Sequence, residues 1–199
     1  MAKIIAVANQ KGGVGKTTTC VNLSAALNQL GKRGLLVDGD PQGNASTGMG
    51  VAKSTRPNTY DMLINEATAA ECVVQTESGD VIPASKELAA ASVELIGAQA
   101  REYVMKNALM TLYSEYDYIF IDCPPSLELL TVNALVAADS VLIPMQCEYY
   151  ALEGIADLVT SIKMCKKRLN KRLEVEGIVL TMYDARANLT SQVAAELRK

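Results

Sequence analysis

The sequence contains no histidine. That absence excludes Ser-His-Asp and Cys-His nucleophile systems within the chain, and any His-ligated metal. Cysteine is sparse and scattered: Cys20, Cys72, Cys123, Cys147 and Cys165 form no Cys-x-x-Cys pair. An odd number of thiols without ligand spacing reads as reduced cysteines of a cytoplasmic protein, not as disulfides or a zinc site. No apolar run approaches the roughly 18 residues of a membrane span. The N-terminal apolar run is short, turns polar at Asn9 and carries no signal-peptide cleavage pattern. A cytoplasmic location without a membrane partner is the expectation. A strong charge of one sign is also missing: 19 Lys and Arg against 22 Asp and Glu leave a net −3, which excludes a histone-like basic protein but permits a local basic patch. Carboxylates, lysines, hydroxyls and backbone amides remain, and these are the groups that serve phosphoryl transfer.

What is present is a chain of 199 residues, 49% hydrophobic and 21% charged, enough for a single domain over residues 1–199 with a substantial core. Short apolar runs, Lys3 to Ala8, Leu35 to Val37, Tyr118 to Ile121, Val141 to Ile143 and Gly177 to Leu180, read as buried strands. Helical spacing separates them: Cys20, Leu23, Leu27 and Leu30 on one face, ended by Gly31; then Leu129, Val132, Leu135 and Val136; then Leu152, Ile155, Val159 and Ile162. The alternation predicts an α/β fold, an open and mostly parallel sheet with helices on both faces. Between Val51 and Gly97 the pattern is less regular, with helices expected from Thr59 to Asn65 and Lys86 to Leu95 and a short edge strand at Val81-Ile82-Pro83. Gly34 stands where a strand favours a β-branched residue. The final helix, with Leu189, Val193 and Leu197 on one face, has no cap, Gly or Pro after it, as in a truncated domain.

The first strand runs straight into Asn9-Gln10-Lys11-Gly12-Gly13-Val14-Gly15-Lys16-Thr17-Thr18. Glycines there let successive backbone amides face inward and, with the helix N-terminus that follows, cradle anionic oxygens. Lys16 is placed for the β and γ phosphates, and the Thr17 hydroxyl for Mg²⁺. Gln10 replaces the first Gly of the G-x-x-x-x-G-K-[ST] pattern, and the additional Lys11 follows it. Asp38 and Asp40 close one strand and Asp122 closes another, at the strand ends where ligands of open α/β sheets gather. Mg²⁺ keeps most of its waters, so Asp122 is expected to act through one. A strand-end Asp is alternatively a turn or cap residue, most of all Asp38. Lys163, Lys166, Lys167, Arg168, Lys171 and Arg172 form a basic run that suits phosphate contacts or, equally, a solvated helix end.

Lys11 to Thr18 resembles the deviant Walker A loop of the ParA/MinD class of P-loop ATPases. Asp38-Gly39-Asp40-Pro41-Gln42-Gly43-Asn44 resembles switch I of the ParA/Soj branch, and Asp122-Cys123-Pro124-Pro125-Ser126 its Walker B and switch II. Gln146 to Gly154 and Leu180 to Arg186 are similar to Soj segments, so the likeness covers essentially the whole chain. It implies an ATPase that uses ATP and Mg²⁺, with Lys11, Gly12, Gly13, Val14, Gly15, Lys16, Thr17, Thr18 and Met182 at the nucleotide and Thr17, Asp40 and Asp122 at the metal. Lys11, Lys16 and Asp40 are then catalytic, Asp40 positioning water and Lys11 reaching a partner subunit's nucleotide. It further implies an ATP-bound homodimer on the nucleoid, non-specific DNA binding through Arg186 with Lys166 and Lys167, stimulation by a ParB-like partner, and a chain lacking the family's C-terminal strand and helix. A MinD-like membrane-associated ATPase and an inactive nucleotide-binding fragment are the alternatives.

Overall fold

The computed structural model describes residues 1–148 and 151–197, apart from the side chains of Ala151, Leu152, Glu153 and Leu189. The expected face positions Leu152 and Leu189, and Tyr149 and Tyr150 of the Soj-like segment, lie outside the described residues. The seven strands are β1 (Lys3–Val7), β2 (Gly34–Asp38), β3 (Val74–Thr76), β4 (Gly79–Ile82), β5 (Tyr118–Asp122), β6 (Ser140–Gln146) and β7 (Glu174–Thr181). They form one sheet in the order β3-β4-β2-β5-β1-β6-β7, parallel throughout except for the antiparallel β3–β4 pair. The helices are α1 (Lys16–Gln29), α2 (Asn44–Gly48), α3 (Thr59–Leu63), α4 (Leu88–Glu94), α5 (Val104–Leu109), α6 (Leu129–Ala137), α7 (Ala151–Arg168) and α8 (Asn188–Glu196).

The central strands are buried on both faces, which explains their unbroken apolar runs. Along β1, Ile4 and Ala6 enter one core and Ile5 and Val7 the other. Leu36 and Phe120 join Ile5 and Val7 under α1 and α2, while Leu35, Val37, Ile119 and Ile121 pack with side chains of α3 to α7. This is the period-two alternation of a strand between two helical layers.

Two expectations are corrected. The strand at residues 81–83 is not an edge: β4 lies between β2 and β3, and the three-residue β3 takes the edge, with Pro83 just beyond the pairing. The expected apolar face of α1 is buried only in part: Cys20 is buried and Leu27 packs against the core. Leu23 is 36% and Leu30 75% exposed, whereas Lys16, Cys20 and Ser24, spaced by four, face the sheet. Under the loop, α1 lies close to the strands and takes small side chains there. Gly34 fits the same packing: a Cβ on it would stand 3.6 Å from Ser24 Oγ. Gly31 ends α1 as expected, at φ 75 with its N–H bonded to the Asn28 carbonyl. Among the described residues no helix is long and apolar enough to cross a membrane.

Candidate functional site

Strand register assembles the site. Val7, Asp122 and Asp38 sit side by side at the carboxyl ends of β1, β5 and β2. The Gly39 N–H then donates to the Asp122 carbonyl at 3.0 Å. A Cβ at Gly39 would stand 2.8 Å from that oxygen, so glycine is required for the two acidic strand ends to meet.

On the other side, Val7 pairs with Leu142, but β6 continues four residues further, to Gln146, paired there with Thr181 of β7. At about 3.3 Å per residue the two strands raise a wall of about 13 Å beside the loop that follows β1. Three hydrogen bonds fasten the loop to this wall. Asn9 Nδ2 donates to the Pro144 carbonyl at 2.8 Å, Gln146 Nε2 to the Gly13 carbonyl at 3.0 Å, and Thr181 Oγ1 to the Val14 carbonyl at 2.8 Å. Asn9 Oδ1 also accepts from the Lys11 N–H at 3.0 Å. Gly13 and Gly15 adopt φ 75 and 91, the left-handed turns that aim backbone amides inward. The functions of Asn9, Gln146 and Thr181 as loop braces escaped sequence reasoning, because only the sheet register brings them to one loop.

Lys16 opens α1 and is buried, its Nζ donating across the loop to the Lys11 carbonyl at 3.1 Å. Burial holds its pKa below the usual lysine value, against the pull of Asp122. Thr17 Oγ1 donates to Asp122 Oδ2 at 2.7 Å. Asp122 is fully buried, and burial pushes its carboxyl up to about 7 despite the Thr17 bond, with Asp38 and Asp40 adding to the rise.

Asp38 and Asp40 separate in role. Asp38 is fully buried and already committed: its Oδ2 accepts from Ser46 N at 2.7 Å and Ser46 Oγ at 2.6 Å, its Oδ1 from Asp40 N at 3.2 Å. Ser46 Oγ in turn accepts from Ala84 N at 2.9 Å, so Asp38 pins α2 and the end of β4. Asp40 is partly exposed and spends one oxygen on Gln42 N at 2.9 Å.

The remaining predicted residues are placed as follows. Lys11 forms an exposed ion pair with Glu148. Met182, at φ 51 and 72% exposed, lies just past β7, its sulfur 2.8 Å from Gln146 Nε2. Arg186 is exposed and bidentate on Asp184, Nε and NH2 both at 2.9 Å. Lys166 pairs with Glu174, and Lys167 is exposed in the last turn of α7. Among the described residues no three of Cys, Asp and Glu cluster to hold a metal by themselves. The donor set suits an ion carried mainly by waters and phosphate, with Thr17 as a direct ligand and Asp122 behind it.

A mostly parallel sheet in which β1 leads into a glycine-rich, lysine-bearing loop, with acids closing the next two strands on one side, β5 and β2, is the fold of the P-loop NTPases. Residues 2–175 match the AAA domain family. The chain is 54% identical to the sporulation initiation inhibitor protein Soj of Bacillus subtilis, covering 100% of this chain and 80% of that protein. It is 52% identical to the chromosome partitioning protein ParA of Myxococcus xanthus, covering 100% and 71%. A crystal structure of cobyrinic acid a,c-diamide synthase from Mycobacterium smegmatis, with bound ATP analog and magnesium, superposes with a TM-score of 0.96 at 37% identity, covering 100% of this chain and 82% of that one. The chain belongs to the ParA/Soj family of P-loop proteins.

Proposed function

We propose that the protein is an ATP-driven partition switch, binding ATP with Mg²⁺ and hydrolysing it. The observation that carries this reading is the Thr17–Asp122 hydrogen bond at 2.7 Å beside the buried Lys16, on a loop braced from three points. Lys16 supplies the fixed cation for the β and γ phosphates, and the amides of residues 12–18 supply donors for their oxygens. When bound, Mg²⁺ screens the phosphate charge and orients the terminal phosphoryl group. Thr17 donates its proton to Asp122, so its oxygen lone pairs would be free for a metal ion. Asp40, with one oxygen uncommitted, is the residue to orient the attacking water. Met182, beside Gln146 at the top of the wall, lines the nucleotide's far end.

Family membership supports the further steps: an ATP-bound homodimer in which Lys11 leaves Glu148 for the partner's nucleotide, non-specific DNA binding on the nucleoid, and stimulation by a ParB-like protein. Relatives named Soj and ParA at 49–54% identity support partition over the activity printed for the Mycobacterium smegmatis structure at 37%. The test is direct: titrate a fluorescent ATP analogue and follow phosphate release in the same preparation, with Lys16→Ala as the control. Binding and slow turnover that both vanish in Lys16→Ala are the expected result. Turnover unaffected by the substitution would overturn the site.

A further inference from the structure

Asp122 is held by two donors, one on each oxygen. Thr17 Oγ1 takes Oδ2 at 2.7 Å; Cys20 Sγ lies 3.7 Å from Oδ1. Thr17 and Cys20 are three residues apart on α1 and so share a face of the helix. Cys20 and Asp122 are both fully buried. A carboxylate fixed through one oxygen swings about its broad terminal torsion, whereas one fixed through both does not.

We propose that Cys20 is a positioning residue for Asp122: its thiol holds Oδ1 so that the carboxylate presents Oδ2 to Thr17 and its remaining lone pairs to the waters of a bound Mg²⁺. The inference rests on the Mg²⁺-nucleotide reading of the site. The thiol carries one S–H, and the 3.7 Å separation from Oδ1 places it within donor reach of that oxygen. A thiol is a weak donor, but with both groups fully buried the low local dielectric strengthens the bond. The rival role for Cys20 is packing alone, since it also touches the cluster of Ile5, Val7, Leu36 and Phe120.

The two roles separate by substitution. Cys20→Ser keeps a donor, Cys20→Ala removes donor and volume, and Cys20→Val removes the donor while filling the space. The readout is the affinity for a fluorescent ADP analogue in EDTA and in Mg²⁺, and the ratio of the two. A positioning role leaves the EDTA affinity of all variants near wild type. It lowers the Mg²⁺-dependent gain about tenfold in both Cys20→Ala and Cys20→Val, at the low end of losses for outer-shell metal partners, while Cys20→Ser retains it. If Cys20→Ala or Cys20→Val keeps the wild-type gain, or Cys20→Ser loses as much as Cys20→Ala, the proposal is wrong and Cys20 only packs. Wild-type protein that binds the analogue without any Mg²⁺-dependent gain would instead overturn the metal-site reading beneath it.

Discussion

The Thr181 hydroxyl donates to the carbonyl oxygen of Val14 at 2.8 Å, which fastens the last residue of β7 to the middle of the phosphate loop. Its methyl group also stands 3.2 Å from where a Cβ on Gly15 would lie, so Thr181 both ties the loop and limits how far it can relax. Thr181→Val keeps the shape and removes the donor. A typical hydrogen bond contributes about 1 kcal/mol, so nucleotide affinity is expected to fall about fivefold. Calorimetric titration of an ATP analogue checks this, and an unchanged affinity shows that the other two braces suffice.

Lys16→Ala is expected to abolish ATP binding. The side chain is buried at the base of the loop, and no other described cation is fixed there: Lys11 points outward to Glu148. Loss of a buried charge-assisted contact to phosphate removes several kcal/mol of affinity, on the order of a thousandfold or more. The ATP analogue titration reads it.

Asp40→Ala is expected to behave differently, retaining ATP while turnover stops. Asp40 donates nothing to a phosphate and holds only Gln42 N, so removing it costs orientation of water and not nucleotide contacts. Positioned carboxylates of this kind contribute about 10²–10⁴-fold in rate. Single-turnover assays of bound nucleotide measure it. Normal turnover would pass the role to another group; Asp38 is a poor candidate, being spent on Ser46.

Much of this was legible in the sequence because burial on both faces of a parallel sheet writes itself as short apolar runs: β1, β2, β5, β6 and β7 all coincide with such runs. The loop motif and the strand-end acids followed from spacing. The parts that were not legible share a cause, namely that tertiary contacts and not local pattern define them. β3 is three partly exposed residues at an edge, and α2 is a polar five-residue helix held by Asp38 through Ser46. α5, six residues long, has too few turns for a periodic signal. The buried line of α1 is Lys16, Cys20 and Ser24, of which apolar periodicity could mark only Cys20. The braces Asn9, Gln146 and Thr181 belong to strand ends far apart in sequence, and only the sheet register brings them to one loop.

Ser24→Ala is expected to leave stability unchanged or raise it slightly. Ser24 Oγ is buried with no hydrogen-bond partner among the described residues, so its removal relieves a desolvated hydroxyl, and alanine leaves only a small void beside Gly34. Urea denaturation of the nucleotide-free protein tests this. A loss of 1 kcal/mol or more, about the cost of deleting a satisfied hydrogen bond, would show that the hydroxyl has a partner in solution.

In EDTA without nucleotide, Asp122 weakens the fold at alkaline pH. Its carboxyl is raised to about 7 by burial above all, so the folded chain binds a proton that the unfolded chain releases nearer 4. Below about 4 both states are protonated and the group is neutral to stability. As pH rises from about 4 through about 7 its contribution falls, and above that the full cost of a buried charge applies. Asp122→Asn keeps an acceptor for Thr17 and removes that charge. The variant is expected to melt a few degrees higher than wild type at pH 8, the advantage shrinking as pH falls through 7 and vanishing near 4. Equal melting temperatures at pH 8 would show that the site relieves the charge in some other way.

The proposed DNA binding is the step for which the described side chains give the sharpest contrasts. Arg186 is exposed but its guanidinium is engaged by both oxygens of Asp184, and Lys166 is partly neutralised by Glu174; Lys167 forms no ion pair among the described residues. A phosphate must therefore displace Asp184 to reach Arg186, whereas Lys167 is ready for contact. Arg186→Ala and Lys167→Ala are each expected to weaken binding and to lower the salt slope by about one contact, uniformly across sequences. Asp184→Asn should do the opposite, strengthening binding by releasing Arg186, which a mere loss of structure would not do. With a net charge of −3, one copy offers only a local patch, so retention should need ATP and pairing of two chains. Filter retention of unrelated duplexes over a salt series, with and without ATP, measures all of these. Binding that is equal without nucleotide would separate DNA contact from the switch. Asp184→Asn binding more weakly than wild type would remove Arg186 from the interface.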